Sequence, residues 1–121
     1  MKCEGVTRKI IGCCFRVHRA IGPGFQEKVY ARALKWALQQ VELHYEIERK
    51  FSLEFDGESI GDFRADLVVE NDVLVELKAI VGRMPKVHTA QVVSYLKASK
   101  LPVGLLVNFG NRSCDVKRFD L

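Results

Sequence analysis

Near the middle of the chain stand Asp66 and, ten residues on, the string Glu76-Leu77-Lys78. Side chains two apart on a strand share a face, so Glu76 and Lys78 project together if this stretch is extended. Their neighbours include Val73, Leu74, Val75, Leu77 and Ile80, and ionised groups among apolar neighbours are costly unless paired or bound to a metal. Two carboxylates brought close together repel each other and suit a hard cation such as Mg²⁺ or Mn²⁺. The Leu77 carbonyl offers a third oxygen. A compact ammonium beside them orients or deprotonates a water and offsets charge growing on a phosphate. Water, Lewis acid and charge neutralisation are what phosphodiester hydrolysis needs. ExK strings are common, however, and alone they more often mark a Glu–Lys pair on a solvent face.

The three groups meet only in one class of hairpin register. A two-residue turn at Asn71-Asp72 sets Asp66 opposite Leu77, facing away from Glu76. A connection with an odd residue count, or a bulge, sets it across from Glu76 or Lys78. We expect a three-residue connection.

The elements that must hold this hairpin follow from hydrophobic spacing. Val6, Ile10, Cys13 or Cys14, Val17 and Ile21 recur three to four apart, which predicts an amphipathic helix over 5–21. Gly22-Pro23-Gly24 ends it. A second helix over Gln26–Gln40 buries Val29, Tyr30, Ala33, Leu34, Ala37 and Leu38. From His44 to Phe55 the period is two, a half-exposed strand closed by the Asp56-Gly57 turn. A short strand near Ile60 precedes two dense Val/Leu runs, Phe63–Val69 and Val73–Ile80, separated by Glu70-Asn71-Asp72. They read as a central hairpin covered on both faces. Pro85 opens a third helix reaching Ser99, Leu101–Phe109 is a last apolar strand, and residues 114–121 can add an edge strand. The order ααβββαβ(β) predicts an α/β fold in which helices flank a mixed sheet.

With 121 residues, 48% of them apolar, the expectation is one domain over 1–121 with enough core to fold without staples. No apolar run approaches the ~20 residues of a membrane span, and the first residues carry no secretory pattern. We therefore expect a cytoplasmic chain whose Cys3, Cys13, Cys14 and Cys114 are reduced thiols. Adjacent Cys13 and Cys14 point about 100° apart on a helix and chelate one ion poorly. A net charge of +4 with pI near 9.0 permits binding to a polyanion, although solubility explains it equally well.

Two further strings change the weight of the ExK motif. Gly24-Phe25-Gln26-Glu27-Lys28-Val29-Tyr30 has the form GxxExxY, and Gln91-Val92-Val93-Ser94-Tyr95 has the form QxxxY. With Val17-His18, the Gly-Pro-Gly turn, Val75-Glu76-Leu77-Lys78, His88-Thr89-Ala90-Gln91 and Gly104-Leu105-Leu106-Val107-Asn108-Phe109, the chain resembles over nearly its whole length the GxxExxY family, a branch of the PD-(D/E)XK nuclease superfamily. One departure is Ala65, which precedes Asp66 where the superfamily's name has proline.

The resemblance implies a restriction-endonuclease-like αβββαβ core, with metal-binding acids at Asp66 and Glu76 and a catalytic lysine at Lys78. It implies that Glu27 reaches the ion, often through water, and that Gln91 and Tyr95 lie beside the metal site and help hold DNA or the lysine. A spacing of four puts these two on one helical face. The function implied is Mg²⁺- or Mn²⁺-dependent hydrolysis of DNA, and the alternative is a silent nucleic-acid-binding or protein-interaction module on the same fold. Related nucleases with an iron–sulfur cluster carry one early and three late cysteines. This chain has three early and one late, so no cluster is expected. His88 precedes Gln91 by one turn and is a candidate for touching phosphate. Arg83 and Lys86, in the loop before the third helix, either grip a DNA backbone or are solvated. His18 reads as a buried, hydrogen-bonded histidine, Tyr30 as core or as an active-site wall, and Trp36 as core or surface patch. So small a domain offers little surface for two strands, which leaves room for a homodimer.

Overall fold

The computed structural model describes residues 2–121. The chain runs α1 (Glu4–Ile21), α2 (Glu27–Gln40), β1 (Tyr45–Phe55), β2 (Glu58–Val69), β3 (Val73–Lys78), α3 (Lys86–Ser99), β4 (Val103–Asn108) and β5 (Asp115–Asp120). The strands form one sheet in the order β1-β2-β3-β4-β5. Only β3 and β4 pair in parallel, and the other neighbours are antiparallel. A parallel pair needs a long crossover, and α3 supplies it.

One face of the sheet packs on α1 and α2, through Ile10, Cys14, Leu34 and Leu38 against Leu67, Val75, Leu77 and Leu105. The other packs on α3, where Leu96 meets Ala65, Val68, Leu74 and Leu101. With both faces covered, β3 and β4 are almost wholly buried, which is why they read as unbroken apolar runs. The mixed sheet flanked by helices is the expected α/β arrangement.

Several boundaries differ from those read in the sequence, among them β4, which spans Val103–Asn108 rather than Leu101–Phe109. The short segment near Ile60 is not separate, since β2 runs unbroken from Glu58. Asp56 and Gly57 both take positive φ, 50° and 81°, as a two-residue primed turn requires. The register then slips between Leu53 (opposite Gly61) and Glu54 (opposite Ser59), leaving Ile60 as the extra residue of a bulge. β3 stops at Lys78 rather than Ile80 because Asn108 captures the chain beyond it. Asn108 Oδ1 accepts from the Ile80 N–H at 2.8 Å, and Nδ2 donates to the Ile80 carbonyl at 2.9 Å. Pro85 is the residue that caps α3, not its first helical residue. His18 is buried, with Nε2 2.8 Å from the Asn111 carbonyl and its ring stacked on Phe109. The four cysteines are unpaired. Among the described residues no helix is long and apolar enough to cross a membrane.

Candidate active site

The hairpin register decides whether the acids can meet. Val69 pairs with Val73, Val68 with Leu74 and Leu67 with Val75, so Glu70-Asn71-Asp72 is a three-residue connection. Glu70 and Asn71 take φ of 53° and 55°, and the Asp72 N–H closes the turn on the Val69 carbonyl at 3.1 Å. Continuing that register by one step brings Asp66 opposite Glu76.

There the ladder gives way to side chains. The Asp66 N–H donates to Glu76 Oε2 at 2.7 Å, and the Leu77 N–H donates to Asp66 Oδ2 at 2.8 Å. Each carboxylate has replaced a strand-to-strand bond, so both sit in the seam between β2 and β3. The facing pattern of β2 explains the geometry. Phe63 and Ala65 pack toward α3, whereas Leu67 and Val69 pack toward α1 and α2. The alternation therefore slips half a step at Asp66. On the neighbouring strand Glu48 takes φ 50°, a left-handed conformation inside a strand, and no Glu48–Asp66 pairing interrupts the slip. Freed from β1, the Asp66 backbone turns its N–H toward Glu76.

Burial sets the electrostatics of the pair. Glu76 is 4% exposed. Burial, then the charge of Asp66, pushes its carboxyl up to about 7, against the pull of the Asp66 N–H and Lys78. Asp66 is also raised, by burial and by Glu48, with the Leu77 N–H and Lys78 opposing. Lys78 is half-buried at the end of β3. Two carboxyls that resist joint ionisation constitute a seat that a divalent cation would stabilise.

The site opens into a cleft of about 560 Å³ between α2 and the β1 edge, lined by Glu27, Glu48, Asp66 and Leu77 among others. Glu27 stands exposed in the first turn of α2, where its charge raises Glu76. Its position depends on Tyr30, whose hydroxyl donates to the Gly22 carbonyl at 2.6 Å and accepts from the Phe25 N–H at 3.3 Å. The Tyr30 ring is fully buried and stacks on Phe109 at 4.5 Å. Tyr30 is thus core, and the GxxExxY spacing ties the turn before α2 to the sheet so that Glu27 overlooks the seam.

A second clamp fixes the lysine end. Besides Ile80, Asn108 Oδ1 accepts the Gly110 N–H at 3.1 Å, and the Phe109 N–H donates to the Lys78 carbonyl at 2.9 Å. Asn111 repeats the device on Gly82, accepting its N–H at 2.7 Å and donating to its carbonyl at 2.9 Å. A Cβ on Gly110 would lie 2.3 Å from the Ile80 carbonyl oxygen, so only glycine lets these segments close.

From the opposite face, α3 presents Gln91 and Tyr95. Tyr95 stacks on Phe63 at 4.1 Å. Its phenol is raised by burial and by the charges of Glu76 and Asp66, while a hydrogen bond with the Gln91 side chain lowers it. Gln91 Oε1 is buried with no partner among the described residues. His88, one turn earlier, is half-buried and its N–H caps on the Pro85 carbonyl. Arg83 and Lys86 are not at the acid cleft. They are exposed and line a separate one of about 480 Å³ with Thr89, Asp115 and Lys117.

Two features of the cleft escaped sequence reasoning. Period-two alternation assigns Glu48 to solvent, and nothing in the string marks its left-handed backbone. Lys28, Arg32 and Lys35 also line the cleft, and their four-then-three spacing was a legible sign of a single helical face.

A sequence profile of the PD-(D/E)XK nuclease superfamily matches residues 4–119. The chain belongs to that superfamily. No curated protein matches it by sequence. Among solved structures, the one described as "Crystal structure of SSO0001" is similar to this PD-(D/E)XK chain with a TM-score of 0.61 and 17% identity, over 77% of this chain and 48% of that one. At that identity the likeness shows a shared fold, and this chain spans about half the length of the protein it matches. Among the described residues no three acidic, histidine or cysteine side chains close into a metal cage. The seam instead brings together two carboxyl groups, Glu76 buried and Asp66 half-buried at the cleft.

Proposed function

We propose that this protein is a metal-dependent nuclease that hydrolyses phosphodiester bonds of DNA. The observation that carries the reading is the reciprocal pair of bonds between Asp66 and the Glu76-Leu77 segment, which ties the buried Glu76 carboxyl to the half-buried Asp66 carboxyl that lines the cleft. Asp66 and Glu76 would hold Mg²⁺ or Mn²⁺. In an extended strand the N–H and C=O of one residue point to the same side, so the Leu77 carbonyl would offer a third oxygen beside its N–H. Glu27 would reach the ion through water. When bound, the ion acts as Lewis acid and lowers the pKa of a coordinated water.

The chain's own groups do the rest. Lys78 neutralises charge growing on the phosphate and orients the attacking water. Gln91 and Tyr95, joined to each other on α3, confine the lysine and the strand beside it, and His88 extends that wall by one turn. The buried flank of α3 limits water at the lysine side. Arg83 and Lys86 offer phosphate-binding groups outside the acid cleft.

The test is incubation of pure protein with single-stranded, duplex and branched DNA in Mg²⁺ or Mn²⁺, alongside Asp66→Ala and Lys78→Ala. We expect cleavage that both substitutions abolish. Cleavage that survives both would overturn the mechanism, and DNA binding without cleavage on every substrate would favour the silent module.

A further inference from the structure

The wall of the acid cleft that faces Asp66 is the outer surface of α2, and its composition points to one kind of occupant. Lys28, Arg32 and Lys35 line that wall. At 100° per residue the three fall within about 60° of one another around the helix, and successive members stand about 4.5–6 Å apart along its axis. None forms an ion pair or hydrogen bond with another group among the described residues. Glu27, Glu48 and Asp66 share the cleft, but none stands within ion-pair distance of the three cations. Neighbouring cations repel, and a ligand that brings negative charges at comparable intervals relieves the stripe. Beside Arg32, one turn on at the edge of the stripe, Trp36 is 67% exposed. It is the only tryptophan in the chain, and two-thirds of a large aromatic surface is left in water.

We propose that α2 is the track for single-stranded nucleic acid leading into the nuclease site: Lys28, Arg32 and Lys35 take successive phosphates, and Trp36 stacks on an unpaired base. This deepens the nuclease reading and rests on it for direction, since the stripe shares its cleft with Asp66 and Leu77. Cationic grooves with an aromatic platform favour single strands because every unpaired base offers a ring face. A paired base keeps its face inside the duplex and cannot reach Trp36. The same geometry places the strand's scissile phosphate beyond Lys28, at the Glu27 end of the cleft.

The single tryptophan makes the test direct. Its fluorescence is followed while oligo(dT), then a blunt duplex of equal length, is added to the full chain in EDTA, where no hydrolysis occurs. We expect strong quenching by oligo(dT), little by duplex, and, from anisotropy of labelled oligo(dT), at least tenfold weaker binding for Trp36→Ala. The triple substitution Lys28→Gln, Arg32→Gln, Lys35→Gln should flatten the dependence of log Kd on log salt by about 2, since each single-strand phosphate left unneutralised removes roughly 0.7 from the slope. Circular dichroism confirms that these surface variants stay folded. Binding of oligo(dT) without quenching, equal quenching by duplex, an unchanged salt slope, or no binding would each overturn the track. Cleavage in Mg²⁺ is scored separately. A quenching protein that does not cut keeps the track and loses the nuclease reading, and a cutting protein with no quenching does the reverse.

Discussion

Replacing Glu76 by Gln should remove most of the pH response of the metal-free protein. In the fold the Glu76 carboxyl is held at about 7 rather than its ordinary 4.5, chiefly by burial and then by Asp66. A proton is therefore bound more tightly in the folded state than in the unfolded one. The stability this gives is fully present below about pH 4.5 and is lost as pH rises to about 7. At 1.36 kcal/mol per pH unit, the interval corresponds to about 3 kcal/mol, and for a chain of this length that is a fall of roughly 10 °C in Tm. Gln has the same shape and keeps an oxygen to accept the Asp66 N–H, now 2.7 Å from Oε2, but carries no charge to bury. Thermal unfolding by circular dichroism in EDTA at pH 5 and pH 8 reads the difference. The wild type should lose most of the 10 °C, and Glu76→Gln should lose only the smaller part that belongs to Asp66. Equal slopes for the two proteins would refute the burial argument, and a wild type more stable at pH 8 would refute its sign.

Other perturbations separate chemistry from scaffold. Lys78→Met should lower cleavage by about 10²- to 10³-fold, as loss of one transition-state charge donor does, while Mn²⁺ still raises Tm. Tyr30→Phe leaves the Gly22 carbonyl without its donor and should cost about 1–2 kcal/mol in urea unfolding. Because the turn before Glu27 loosens, cleavage should fall further than that loss of stability explains. Gly110→Ala forces a methyl to 2.3 Å from the Ile80 carbonyl and should cost roughly 3 kcal/mol in the same assay.

The seam could be foreseen because strand facing is arithmetic. A three-residue connection fixes parity, and parity alone brings Asp66 to Glu76 once Asp66, Glu76 and Lys78 are recognised. What could not be foreseen is how the acids meet. Asp66 does not stand on a face of the sheet; it lies edgewise in the seam and bonds the Leu77 N–H. That aim depends on the half-step at Asp66 and on the left-handed Glu48 across from it, and φ is not written in a string of Glu, Arg and Lys. The clamping roles of Tyr30 and Asn108 were equally hidden, because each works by bonding loop backbone outside its own element. Arg83 and Lys86 were placed by their nearness in sequence to Lys78. The chain turns away after Ile80, held by Asn108 and Asn111, and carries both to another cleft. The cations of α2 were overlooked for a different reason, since a charged helical face usually meets only solvent and its neighbour across the cleft is known only from the fold.

A metal-dependent nuclease built on this chain requires the seam between β2 and β3 to accept a divalent ion. Crystals soaked in Mn²⁺ and measured at its absorption edge report this directly. We predict one anomalous peak about 2 Å from the Asp66 and Glu76 carboxylates, absent from crystals of Asp66→Asn. A seam without a peak at saturating Mn²⁺, or a peak unmoved by that substitution, would contradict it.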